Sequence, residues 1–329
     1  MRFSRDVLAI NRDAEVERLC AWMKAEVAGT LRKRGVVVGL SGGIDSSVCA
    51  ALAVRALGPA KVFGLFMPER DSSPESRALG ELLARSLGIE AVTEDITPAL
   101  EGAGCYARQL EAIRAVFPEY GDGWRCKVAL PSLLEADRLS VFSLTVQAPG
   151  GEPRSARLPL GAYLQLVAAT NFKQRVRKMV EYYHADRLNF AVVGTPNRLE
   201  YDQGFFVKQG DGTADLKPIA HLYKTQVYAL AETLGVPEEI RRRPPTTDTY
   251  SLPQTQEEFY FALPYAEMDL CLWGLNHEVP AAEVAPVLGL TVEQVERVYK
   301  DIRAKRRTTR AGHLPPLLVE PVFGETHTL

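Results

Sequence analysis

Val36-Val37-Val38-Gly39-Leu40-Ser41-Gly42-Gly43-Ile44-Asp45-Ser46-Ser47 is the stretch on which the fold turns. A β-branched apolar run reads as a strand, the Ser-Gly-Gly segment as a tight turn, and Val48 to Leu57 as a buried helix. Further along, Val62 to Met67 predicts a second strand, Pro74 to Leu87 a helix, and Ala91 to Ile96 a third strand. Strand and helix alternate with short connections. That pattern predicts an α/β protein whose parallel sheet is doubly wound, with helices on both faces and right-handed crossovers. Upstream, about Arg12 to Arg32 forms an amphipathic helix, with Val16, Leu19, Trp22, Met23 and Val27 at helical spacing. Trp22 and Trp273 read as core aromatics.

The turn also carries chemistry. Two glycines let backbone N–H groups converge on an anion, and the following helix adds its positive end. The hydroxyls of Ser41, Ser46 and Ser47 are candidate donors to phosphate oxygens. An Asp45 carboxylate beside phosphate calls for a cation between them, and Mg²⁺ is the usual one. No lysine closes the segment, so it is not the GxxxxGK[ST] loop. A glycine-rich turn with an acidic helix cap would need no ligand at all.

The middle of the chain is less regular. Alternation over 139–146, then Pro149-Gly150-Gly151 and a second short alternating run, predicts an inserted β-hairpin within about 121–160. A helix is expected from Tyr163 to His184 and a strand from Phe190 to Val193, followed by a loop from Gly194-Thr195 to Glu200. Gly204 to Asp215, with two aromatics, a lysine, two aspartates and three glycines, suits neither helix nor strand and reads as a functional loop. The C-terminal part is helical, at Tyr223 to Leu234, Glu257 to Leu272, Ala281 to Leu288 and Val292 to Arg306. The last two resemble a helix-turn-helix, a pattern that more often reflects packing than DNA binding. Arg241-Arg242-Arg243 reads first as a solvated face and second as a phosphate contact.

Composition narrows the class. The 329 residues include 39 basic and 41 acidic side chains, giving a net charge of −2. No global basic field exists to hold nucleic acid. Cys20, Cys49, Cys105, Cys126 and Cys271 are dispersed, without a CxxC pair, and read as reduced thiols of a cytoplasmic protein. No apolar run approaches a membrane span of about 20 residues, and the N-terminus has no signal-peptide core.

Together these motifs carry a resemblance. The Ser-Gly-Gly-Ile-Asp-Ser-Ser segment resembles the signature of the N-type ATP pyrophosphatases, with their adenine nucleotide alpha hydrolase-like fold. The later motifs resemble the ammonia-dependent NAD synthetases. They are Asn171 through Arg175 and Arg177 to Met179; Gly194-Thr195 with Glu200; Gly204 through Lys208 to Asp215; Lys224 with Thr225-Gln226-Val227; and the turn at 245–248. The resemblance spans roughly Ala14 to Val319, apart from the hairpin.

It implies one NAD synthetase-like domain over 1–329, without a glutaminase domain. Gly39, Leu40, Ser41, Gly42, Gly43, Ile44, Asp45 and Ser46 would cradle ATP, with Thr195, Lys224 and Thr246 also contacting it. Asp45 and Glu200 would hold Mg²⁺. Arg175, Lys208 and Asp215 would hold the deamido dinucleotide, and Asp45, Lys224 and Asp215 would carry the catalysis. The expected reaction converts nicotinate adenine dinucleotide to NAD through an acyl-adenylate, consuming ATP and ammonia. A homodimer is implied, with ammonia free or supplied by a separate glutaminase. The family's C-terminal His-Lys-Arg segment has no clean equivalent in Lys305 to Pro316. The alternative is a related enzyme amidating or thiolating another substrate, and thiolation would call on Cys105 and Cys126.

Overall fold

The computed structural model describes residues 2–129, 142–245, 250–261 and 263–320. Positions 139–141 of the expected hairpin, together with Thr246, Thr247 and Asp248, lie outside them. The strands in chain order are β1 (Val36–Gly39), β2 (Val62–Phe66), β3 (Glu90–Thr93), β4 (Arg125–Ala129), β5 (Ser143–Gln147), β6 (Arg154–Arg157) and β7 (Ala191–Val193). The first six helices are α1 (Arg12–Ala25), α2 (Ile44–Leu57), α3 (Pro74–Leu87), α4 (Thr97–Gly102), α5 (Cys105–Arg114) and α6 (Leu160–Leu188). The remainder are α7 (Arg198–Gln203), α8 (Lys224–Thr233), α9 (Glu238–Arg242), α10 (Tyr265–Asn276), α11 (Ala281–Leu288) and α12 (Val292–His313).

Four strands form the expected parallel sheet, in the order β3-β2-β1-β7. β1 and β2 are apolar and almost wholly buried, as strands covered on both faces must be. One face packs against α1, α2 and α8 through Val16, Met23, Val48, Leu52, Val227 and Leu230. The other receives α6, where Val37, Leu65, Ala185 and Val192 meet. From β1 the chain winds outward to β2 and β3, then returns to the opposite side of β1 as β7. The gap between the C-terminal ends of β1 and β7 is therefore the topological switch point, where open α/β sheets bind ligands.

Trp22 departs from expectation and is 37% exposed. It precedes the buried Met23 and so sits about 100° away round the helix, off the apolar stripe. Trp273 is half-buried and stacks on His277. The insertion is larger than a hairpin. β5 and β6 pair antiparallel as expected, and β4 adds a third strand on the far side of β5. Only Cys126 and Val128 of β4 turn inward, joining Ile113, Leu144, Val146 and Leu166. The expected helix Glu257 to Leu272 is interrupted, because Pro264 cannot continue it and instead caps α10. α11 and α12 bury Val284, Leu288, Val295 and Val298 against α10, so the helix-turn-helix pattern is packing. α12 runs on to His313, past the expected end at Arg306. Among the described residues no helix is long and apolar enough to cross a membrane.

Candidate active site

At the switch point the Ser-Gly-Gly loop leaves β1 and enters α2. Gly42 is left-handed, with φ of 72°. A Cβ at Gly42 would collide with the Ser76 carbonyl at the start of α3, so the loop can close only with glycine here. Gly43 is extended and caps α2 without a side chain. The Ser41 and Ser46 hydroxyls lie 3.0 Å apart on the cavity wall. Ser47 is a correction: it is fully buried off the cavity wall and donates back to the Gly43 carbonyl at 2.8 Å, whereas Ser46, which meets the same carbonyl at 3.1 Å, stays on the wall.

The loop opens onto a cavity of about 490 Å³. Gly39, Leu40, Ser41, Gly43, Ile44, Asp45 and Ser46 line it, while Gly42 faces α3 instead. Thr195 and Glu200, from the loop after β7 and the first turn of α7, line the same cavity. Phe205 and Phe206 do so too, the first stacked on Tyr260 and the second on Tyr201. Farther out the wall is aromatic. The inserted sheet delivers Phe142 onto Tyr163 with ring centroids 4.1 Å apart, and Tyr250 and Phe259 lie nearby.

A buried charge cluster sits between the two strand ends. Asp45 forms an ion pair with Lys224 and accepts a 3.0 Å hydrogen bond from the Asn197 side-chain amide. Asn197 also caps α7 in a reciprocal box with Glu200. Burial, and then the Asp45 charge, push Glu200 up to about 8. Burial alone would lower Lys224, but Asp45 and Glu200 outweigh it and hold the ammonium protonated. Lys224 is fully buried at the first position of α8. Asp269, from α10, accepts the backbone N–H groups of Lys224 at 3.2 Å and Thr225 at 2.8 Å and so fixes that helix start. Burial raises Asp269 to about 6.

Sequence reading missed two of these residues. Asn197 had a signal, since Asn three residues before Glu is a capping box. Asp269 had a weaker one, a single acid in the apolar run Met268-Asp269-Leu270-Cys271-Leu272.

Arg175, Lys208 and Asp215 do not line the cavity. Arg175 and Lys208 meet each other near the end of α12, and Asp215 sits apart, beside β7 and Tyr182 of α6. Arg175 is exposed, and its Nε donates to the Lys208 carbonyl at 3.3 Å. The Lys208 ammonium donates to the carbonyls of Ala311 and Leu314. Asp215 is exposed and accepts from Tyr182 Oη at 3.2 Å and from Val192 N at 2.7 Å. From the same helix, Gln174, Arg177, Lys178 and Glu181 line the cavity instead. Burial pushes the Cys126 thiol up to about 11 and raises Cys105 as well. Neither offers the exposed thiolate that sulfur transfer requires.

The family model for NAD synthase matches residues 15–113 and 154–310, and the intervening 114–153 carry β4 and β5. A relative named NH(3)-dependent NAD(+) synthetase from Mesorhizobium japonicum is 65% identical over 312 residues, covering 95% of this chain and 98% of its own. One of the same name from Rhizobium meliloti is 62% identical over 320 residues, covering 97% and 96%. A solved structure of NMN synthetase from Francisella tularensis superposes with a TM-score of 0.62 at 24% identity, covering 96% of this chain and 100% of that one, and shows the shared fold. With the match spanning most of its length, the chain belongs to the NAD synthase family.

Proposed function

We propose that the protein catalyses the ATP-dependent amidation of nicotinate adenine dinucleotide to NAD, with ammonia as nitrogen donor. The observation that carries the proposal is the convergence of the Ser-Gly-Gly loop, Asp45 and Glu200 at one switch-point cavity, with the buried Lys224 paired to Asp45 behind its wall. Relatives more than 60% identical that are named NH(3)-dependent NAD(+) synthetases support it.

A carboxylate resists attack by ammonia until its oxygen becomes part of a leaving group. In the proposed first step a nicotinate carboxylate oxygen attacks the α-phosphorus of ATP. The bond from that phosphorus to the bridging oxygen breaks, and pyrophosphate departs. Ammonia then attacks the acyl carbon, the bond from carbon to the AMP oxygen breaks, and nitrogen sheds a proton. The protein's task is to hold phosphate charge in line and to exclude water. Backbone N–H groups of the loop, the N-terminal end of α2 and the hydroxyls of Ser41 and Ser46 bind the phosphates. Thr195 and Thr246 contact ATP, and Lys224 fixes Asp45 until the nucleotide arrives.

Asp45 and Glu200 suit a hard divalent cation. They are oxygen donors, and Glu200 is raised to about 8 by its burial and then by the Asp45 charge, which the one lysine offsets only in part. Mg²⁺ held there would supply charge neutralisation on the phosphate oxygens.

Arg175, Lys208 and Asp215 are assigned to the dinucleotide. The exposed position of Asp215 favours binding over proton transfer at the acyl carbon. Arg175→Ala should raise KM for the dinucleotide by about ten- to a hundredfold, the worth of a charge-assisted contact. Steady-state kinetics should show KM for ATP changing much less.

Arg175 also shares a helical stripe, at spacings of four, with Met179 and Tyr183, which are 61% and 63% exposed. We therefore assign this face of α6 to a homodimer interface. An obligate interface of this type buries upwards of about 2,000 Å². Sedimentation at micromolar concentration should give twice the chain mass of 36.3 kDa, and a purely monomeric species would contradict the assignment.

The organisation proposed is one synthetase unit carrying the β4–β6 sheet as an insertion, with ammonia taken free or from a separate glutaminase. Incubating the protein with ATP, Mg²⁺, ammonium and nicotinate adenine dinucleotide should yield NAD, and omitting ATP or ammonium should abolish it. AMP release with another carboxylic acid, but none with the dinucleotide, would overturn the substrate and leave the chemistry standing.

A further inference from the structure

The three consecutive arginines at the end of α9 enter three different environments. Arg241 Nε donates to the Val236 carbonyl at 3.0 Å. Arg242 is solvent-exposed and pairs with Glu238 one turn back. Arg243 turns inward, its side chain 11% exposed, and lines the cavity with Ser41, Gly43 and Ser46. Its Nη2 donates to Ser76 Oγ at 2.9 Å. The Glu75 carboxylate stands 3.9 Å from its Nε and is 69% exposed, a pairing that water screens. A guanidinium carries five N–H donors. Among the described residues, Ser76 is the one hydrogen-bond acceptor that meets this side chain.

Ser76 also fixes where those donors stand. Its carbonyl packs directly against Gly42, so Arg243 lies one residue removed from the Ser-Gly-Gly loop. The other cations of this wall are engaged within the protein. Lys173 is held by Glu69 and Asp71, Lys178 by Glu181, Arg77 by Glu81, and Arg177 Nε by the Met67 carbonyl.

We propose that Arg243 binds the polyphosphate end of ATP and stabilises pyrophosphate as it leaves. The assignment rests on the adenylation reading above. As the carboxylate oxygen bonds to the α-phosphorus, the bond to the bridging oxygen breaks, and that oxygen keeps the electron pair. Charge therefore builds on the departing pyrophosphate. A buried planar fork matches its oxygens in pairs, which a solvated lysine does not.

The test compares Arg243→Gln, Arg243→Lys and the control Arg242→Gln with the wild type. Calorimetry measures binding of inorganic pyrophosphate, kinetics give kcat with KM for each substrate, and melting reports stability. Arg243→Gln should weaken pyrophosphate binding about ten- to a hundredfold and reduce kcat/KM for ATP by a similar factor. KM for the dinucleotide should stay within about twofold, a split that a purely structural role would not produce. Arg243→Lys should recover part of the loss, and Arg242→Gln should match the wild type. Unchanged kcat/KM for ATP in Arg243→Gln, or equal losses for both substrates with a lowered Tm, would overturn the assignment. If wild-type pyrophosphate binding is too weak to measure, the ATP kinetics alone decide. A wild type that forms no AMP would instead sink the adenylation reading.

Discussion

Glu200→Gln should lower turnover by at least about a hundredfold and as much as about a thousandfold, with stability close to wild type. Glutamine keeps the shape and the acceptor that cap α7, and it replaces a carboxyl that burial has already raised to about 8. Structure therefore loses little, and the charge that a divalent cation requires is lost. Asp45→Asn should cost a comparable factor in rate, and it should also cost stability. It leaves the fully buried Lys224 ammonium without its carboxylate. Measuring kcat against Mg²⁺ concentration, with denaturant melts beside it, separates the two variants. Near-normal turnover at limiting Mg²⁺ in either one would remove that residue from the metal site.

Lys224→Met should produce the largest change in stability. Removing the ammonium leaves Asp45 and Glu200 facing each other across a buried gap, and breaking a buried ion pair costs about 3–5 kcal/mol. The sign with pH follows from the carboxyls. Burial already holds Glu200 above its unfolded value, and the variant removes the ammonium that lowers it. The loss should be small in acid, where Glu200 is protonated in both states, and should grow as pH rises from the ordinary glutamate range through about 8. Urea unfolding at acidic and alkaline pH reads this directly. The same midpoint as wild type at both would mean that the cluster holds no uncompensated charge. Asp45→Asn combined with Lys224→Met should recover part of either single loss, because the pair is then removed together.

The frame and the Ser-Gly-Gly loop were legible in the sequence because each depends on local pattern. Continuous apolar runs at 36–39 and 62–66 mark strands covered on both faces, and glycine at 42 and 43 marks the turn. β4 was hidden because Arg125 and Lys127 interrupt a run of only five residues. α7 and α9, of six and five residues, are too short to show a period. The helix through Asn171 to Glu181 was visible, but not its orientation. Gln174, Arg177, Lys178 and Glu181 share one face and Arg175, Met179 and Tyr183 another, and charge lies on both. Only the packing of α6 on the sheet decides which face meets the cavity. The same limit applies to Arg241, Arg242 and Arg243. Composition marks them as a charge run, and the fold alone sends Arg243 inward.

The central claim is that the carboxylate oxygen itself bonds to the α-phosphorus, and an oxygen label tests it most directly. Nicotinate adenine dinucleotide with its carboxylate enriched in heavy oxygen is turned over with ATP, Mg²⁺ and ammonium, and the products are weighed by mass spectrometry. Adenylation predicts that AMP and pyrophosphate form in equal amounts and that each AMP carries one oxygen from the carboxylate. Label in inorganic phosphate accompanied by ADP, or AMP without label, would contradict it.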